Sequence, residues 1–163
     1  MNADRTTAGS AQPKTAPRLP PRWFIRTAWL LHRAALRITG RRFGLRTGTA
    51  DRAGYLQLAT TGRRTGKERS CIVAYIEDGP NLVTLAMNGW GEGAPAWWLN
   101  LEARPDATVV FPDGSRAVRA RVADKDERSR LWPRLDGGPW GDLEGFAARR
   151  SRETPVVILE RRS

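Results

Sequence analysis

Four cations, Arg63, Arg64, Lys67 and Arg69, crowd into the short segment GRRTGKER, which is punctuated by Gly62 and Gly66. Cationic side chains and exposed backbone N–H groups in a tight turn are a construction that holds phosphate or carboxylate, each charge-assisted contact contributing about 1.5–3 kcal/mol. A basic surface hairpin that binds nothing has the same composition, so the loop alone decides nothing. A Walker phosphate loop is excluded, because its GK[ST] spacing is absent and the segment does not lead into a helix. No dinucleotide fingerprint is present. A second cluster follows in MNGWGEGAPAWWLNL, where Trp90, Trp97 and Trp98 stand close to Met87, Gly89, Gly91 and Gly93. Glycines let a backbone approach a planar ligand and indoles supply flat apolar walls, while tryptophans that merely fill a core are the plainer reading of Trp97 and Trp98. An anion site followed by an aromatic pocket suits an elongated cofactor with a ring and an acidic tail.

The elements that must position these groups are strands. Residues 55–61, 70–77 and 81–87 are rich in β-branched and aromatic residues, and the first two flank the basic loop as a hairpin would. Asp78, Gly79, Pro80 and Asn81 make a turn between the second and third. Pro95 suits the start of a helix over Ala96–Ala103. Residues 107–111 and 116–122 form a second hairpin across Pro112, Asp113 and Gly114. Short helices are expected at Lys125–Leu135 and 142–150, broken by Gly137 and Gly138, with a last strand at 154–159. Residues after Trp132 are expected to form a lid over the substrate. About six mainly antiparallel strands with helices inserted late predict an α+β barrel or sheet rather than a βαβ succession.

The 163 residues suffice for one domain with an N-terminal extension. The formal charge of +11 is unevenly spread: residues 1–52 carry eleven Arg or Lys against Asp4 and Asp51, a net of +9, leaving +2 for the rest. The division expected is a leader over 1–19, a basic helix and linker over 20–52, and the barrel over 53–163. Residues 22–39 combine Arg26, Arg33 and Arg37 on one stripe with more apolar surface than a free helix should show. They suit either an anionic membrane surface or packing against protein. No standard nucleic-acid motif appears, so nucleic acid is not expected as a partner. One cysteine, Cys71, and one histidine, His32, exclude disulfide frameworks and most metal sites within one chain. A cytoplasmic location is expected, peripheral at the membrane if residues 22–39 meet lipid. Oligomeric state is not legible.

The order TTGRRTGKER, then LAMNGWGEGAPAWWLNL, resembles the deazaflavin-dependent nitroreductase and quinone reductase family over roughly residues 54–160. That resemblance implies a split β-barrel of the flavin-reductase type and coenzyme F420, an 8-hydroxy-5-deazaflavin, with flavin mononucleotide (FMN) as the alternative cofactor on the same fold. It implies that Arg63, Arg64, Thr65 and Arg69 bind the phosphate and oligoglutamate tail. It implies further that Ser70, Cys71, Ile72, Leu85, Ala86, Met87, Asn88, Ala96, Trp97, Trp98, Leu99 and Asn100 surround the ring. The implied reaction is hydride transfer to an electrophilic small molecule such as a quinone, nitroarene or activated alkene. A non-catalytic membrane-associated binding protein on the same barrel is the other reading. This chain departs from the family where SKGG and then NP commonly precede WYLNL, having Met87, Asn88, Gly89 and Trp90, then Ala94 and Pro95. The late segment DGGPWGDLEGFAARR offers Trp140 and Phe146 and no tyrosine, so no catalytic proton donor is carried over.

Overall fold

The computed structural model describes residues 44–88, 93–148 and 150–162. The expected leader and the helix over 22–39 lie outside the described residues, as do Gly89, Trp90 and Gly91. Six strands form a closed barrel: β1 (Gly54–Thr61), β2 (Glu68–Asp78), β3 (Asn81–Leu85), β4 (Asp106–Phe111), β5 (Gly114–Val122) and β6 (Val156–Arg161), in the spatial order β1-β2-β3-β6-β5-β4. Every neighbouring pair is antiparallel, and β4 against β1 closes the ring. Helices α1 (Ala96–Ala103), α2 (Lys125–Leu135) and α3 (Leu143–Ala147), with a 3-10 turn at Gly138–Trp140, fill the connections.

Local chemistry explains the corners. Asp78 faces Asn81 across a two-residue turn whose first central residue, Gly79, has φ +60°, which a side chain there would resist. Phe111 faces Gly114 across Pro112 and Asp113. In α2, Asp124 accepts from the Glu127 N–H at 2.8 Å, and Glu127 accepts in return from the Asp124 N–H at 2.9 Å, a reciprocal cap.

Two of the expected elements are shorter than the sequence implies. β3 stops at Leu85, because the Met87 N–H turns back to the Leu85 carbonyl at 2.8 Å and the chain heads toward α1. α3 covers only Leu143–Ala147, since no apolar residue recurs between Ala148 and Pro155 to give it a buried face.

Pleat alternation sends Leu56, Leu58, Val73 and Tyr75 into the barrel, where they pack with Val109, Phe111, Val118, Val157 and Leu159. Trp98 and Leu101 of α1 join that interior, so α1 plugs the barrel end from which the β1–β2 loop emerges. Burying side chains of this size stabilises by about 1.5–3 kcal/mol each. The opposite pleat of β2, β3 and β6 builds a second layer outside the barrel: Ile76, Val83, Val156 and Ile158 against Leu131, Leu135, Trp140 and Leu143. Trp140 is buried there, so the segment expected as a lid is fastened to the barrel wall by its own apolar side chains. Arg130 and Arg134 pin α2 further, both donating to the Asp78 carboxylate at 2.7–2.9 Å.

Candidate cofactor-binding site

The basic loop is held as a rigid tongue. Thr61 of β1 faces Glu68 of β2. The turn between them closes through the Gly62 N–H to the Lys67 carbonyl and the Gly66 N–H to the Gly62 carbonyl, both 2.8 Å. Gly66 has φ +66°, and a Cβ on Gly62 would lie 3.0 Å from the Lys67 carbonyl oxygen, so both glycines are required by geometry. Arg63, Arg64, Thr65, Lys67 and Arg69 are all exposed.

Among the described residues, Arg119, Arg121, Arg128, Arg130, Arg134 and Arg162 make ion pairs, whereas none of the loop cations does. Six arginines outside the loop are thus paired with the barrel's own carboxylates. The loop's positive charge is left for something else.

Asn100 fixes that charge to the barrel end. It is 5% exposed, and its Oδ1 accepts from the Arg63 backbone N–H at 3.1 Å and from Arg63 Nη1 at 3.4 Å. Its Nδ2 donates to Thr60 Oγ1 at 3.2 Å, and the Thr60 hydroxyl donates to the Arg69 carbonyl at 3.2 Å. Both stems of the loop and the plugging helix are thus joined through one amide. Thr60 is an internal polar residue whose sequence signal was its place on the Leu56–Leu58 pleat, where an apolar residue is expected. Arg104 was also missed. It follows α1 and closes it, its N–H donating to the Asn100 carbonyl at 2.8 Å, and its Nη1 lies 3.8 Å from where a Gly66 Cβ would stand. Charge counted along the chain hides a cation that arrives from an element some forty residues away.

Beside the loop runs an open strand edge. β2 pairs with β1 over its length from Glu68 to Tyr75, but with β3 only over Ile76–Asp78. The Ala74 carbonyl accepts from Thr84 Oγ1 of β3 at 2.7 Å, which shows that Ala74 presents its backbone groups to that edge. By strand alternation Ile72 and Ser70 present theirs there too. No described strand covers them. The side chains of Ser70, Ile72 and Ala74 share the outer pleat, and Ala74 and Met87 pack at the margin of the outer layer.

The residues expected around a ring therefore divide. Ser70 and Ile72 are exposed and half-buried on this edge, Met87 is half-buried against the outer layer, Asn88 is exposed after it, and Ala96 is exposed at the start of α1. Leu85 belongs to the outer layer and Ala86 to the barrel interior. Trp98 is core, Trp97 meets it edge-on at 6.3 Å and 74°, and Leu99 is half-buried. Cys71 packs on the interior, and burial pushes its thiol up to about 12, so it stays protonated. Asn100 spends its amide on the loop. In the expected lid, Asp142 Oδ1 accepts from the Gly145 N–H at 2.8 Å and so caps α3.

A closed, antiparallel six-stranded barrel is the architecture of a split-barrel protein, and among the described residues it sets an uncovered strand edge beside a cationic loop without ion pairs. The exposed cations, and the backbone groups that no described strand covers, fit a deazaflavin with a phosphate and carboxylate tail, and a single phosphate would leave most of those cations unmatched. A sequence profile of the F420H(2)-dependent quinone reductase family matches residues 31–161. The chain is 33% identical over 134 residues to the F420H(2)-dependent quinone reductase Rv1261c of Mycobacterium tuberculosis, covering 81% of this chain and 89% of that protein. It is 35% identical over 108 residues to the putative F420H(2)-dependent quinone reductase Rv3178 of the same organism, covering 66% and 89%. The fold matches that of an F420-H2 dependent reductase (FDR-A) with a TM-score of 0.55 at 22% identity, covering 72% of this chain and all of the other. The chain belongs to the F420H(2)-dependent quinone reductase family. It is an F420-dependent reductase, and coenzyme F420 is its cofactor. No helix among the described residues is long and apolar enough to cross a membrane.

Proposed function

We propose that this protein reduces an electrophilic small molecule, a quinone, nitroarene or activated alkene, with the coenzyme's tail held on residues 62–69 and its ring along the edge of Ser70 and Ile72. The observation that carries this reading is the conjunction, among the described residues, of loop cations without ion pairs and an uncovered strand edge directly after them. When bound, the reduced coenzyme supplies the hydride. The chain supplies position. Arg63, Arg64 and Arg69 neutralise the tail, Asn100 keeps their backbone from shifting, and the backbone groups of Ser70 and Ile72 meet the polar edge of the ring. Met87 at the margin of the outer layer keeps water from one flank.

No described side chain is assigned the substrate's proton. The Asp142 carboxylate is committed to its helix cap and the Cys71 thiol is turned inward, so the proton comes from water. A general acid typically contributes about 10²–10⁴-fold, so its absence favours strongly electrophilic acceptors over quinones that need assistance.

The test replaces Arg63, Arg64 and Arg69 singly with Ala and compares coenzyme affinity with thermal stability. Affinity should fall, and fall less at high salt, while melting stays near wild type. Unchanged affinity in all three variants would remove the loop from the site.

A further inference from the structure

We infer that Arg104 extends the anion site from the end of α1 along the flank of the loop and makes the site discriminate by tail length, favouring a ligand with several carboxylates over one that ends soon after its phosphate. The inference rests on the proposed placement of the coenzyme and goes beyond it, because Arg104 lies outside the GRRTGKER loop and follows a different element.

The geometry gives the order of contacts. Among the described residues the open edge lies at Ser70 and Ile72, the loop stem at Arg69, and Gly66 just past the Gly62–Lys67 closure on the same stem. Roughly 13 Å of strand separates Ile72 from Glu68, before the loop itself adds its reach. Arg104 Nη1 stands beside Gly66, 3.8 Å from a notional Cβ there, and so lies past Lys67 along this track, away from the ring edge. It is exposed and makes no ion pair among the described residues, although Glu102 and Asp106 are two positions away on either side. Asp106 is taken by Arg119 and Arg162 instead. A cation at the end of α1 also complements the helix dipole, which is the competing explanation for its presence. That role would affect folding and not ligand length.

Tethering through Asn100 matters here. The Arg104 N–H and the Arg63 N–H both bond to Asn100, the first to its carbonyl and the second to its side chain. The backbone spacing between the loop and Arg104 is thereby fixed, so a ligand long enough to touch both orders the Arg104 side chain but moves neither element.

The experiment titrates wild type, Arg104→Ala and Arg104→Lys with coenzyme F420 preparations carrying short and long oligoglutamate tails, at low and high salt, alongside thermal melts. Wild type should bind the long-tailed form about three- to tenfold more tightly at low salt, as expected for an exposed charge-assisted contact. Arg104→Ala should erase that ratio while leaving short-tail affinity and melting temperature near wild type, and Arg104→Lys should restore part of it. Retention of the ratio in Arg104→Ala, or no dependence on tail length in wild type, overturns the inference with the proposed function intact. A stability loss with an unchanged ratio overturns it in favour of the helix-dipole role. Binding of neither form by wild type would instead defeat the proposed function.

Discussion

Replacing Asn100 separates what holds the site together from what binds the ligand. In Asn100→Ala the Arg63 N–H loses its acceptor and the Thr60 oxygen, only 2% exposed as a residue, loses a donor while its own hydroxyl keeps the bond to the Arg69 carbonyl. Leaving buried polar groups unmade costs about 1–3 kcal/mol each, and the exposed Arg63 guanidinium can recover water. A loss of about 2–3 kcal/mol follows, or about 5–10 °C in melting temperature for a chain of this size. Asn100→Asp behaves differently. Its carboxylate still accepts from the Arg63 N–H and gains charge assistance from the Arg63 guanidinium, so it destabilises less than Ala. It also places a negative charge at the base of the anion site, and coenzyme affinity should fall about three- to tenfold at low salt. Thermal melts and a fluorescence titration of both variants provide the assay. An Asn100→Ala protein that melts like wild type, together with an Asn100→Asp protein that binds like wild type, would refute the assignment of Asn100 as the tether.

Three other outcomes are expected. With its thiol pushed up to about 12 by burial, Cys71 should react with a disulfide reagent at pH 8 far more slowly in the native protein than in urea, and equal rates would contradict its interior position. Hydrogen bonds from Arg130 and then Arg134 hold Asp78 at about 2, below its ordinary 3.8. A depressed folded-state carboxylate stabilises above the unfolded value, so this contribution is full above about pH 4 and is lost as pH falls toward 2. Asp78→Asn should flatten that part of the acid-stability curve, though Glu127, held low by Arg121, keeps some slope. Asp142→Ala should cost about 1 kcal/mol as a lost helix cap and leave the pH profile of turnover unchanged; abolished turnover in a folded variant would make this carboxylate the proton source.

The barrel was legible because its signals are local. The β-branched and aromatic residues of 55–61 and the turn residues Gly79, Pro80, Asp113 and Gly114 specify strands and corners without reference to the rest of the chain. The cationic loop was legible for the same reason. The division of the expected ring residues was not, since Ser70, Cys71 and Ile72 are consecutive yet alternate between the outer face and the interior, and only strand pairing says which is which. The roles of Asn100 and Thr60 depend on a contact across forty positions, and that of Arg104 on a helix end meeting the loop. The second core layer escaped notice because Trp132, Trp140 and Leu143 are apolar in a glycine-rich segment, a composition that fits a mobile cover as well as a packed wall.

The central claim is that this barrel holds a deazaflavin by a long anionic tail. Parallel fluorescence titrations of the wild-type protein with coenzyme F420 and with FMN at low salt test it most directly. The account predicts saturable binding of coenzyme F420, weakening with salt, and much weaker binding of FMN with its single phosphate. Equal or tighter binding of FMN, or coenzyme binding indifferent to salt, would contradict it.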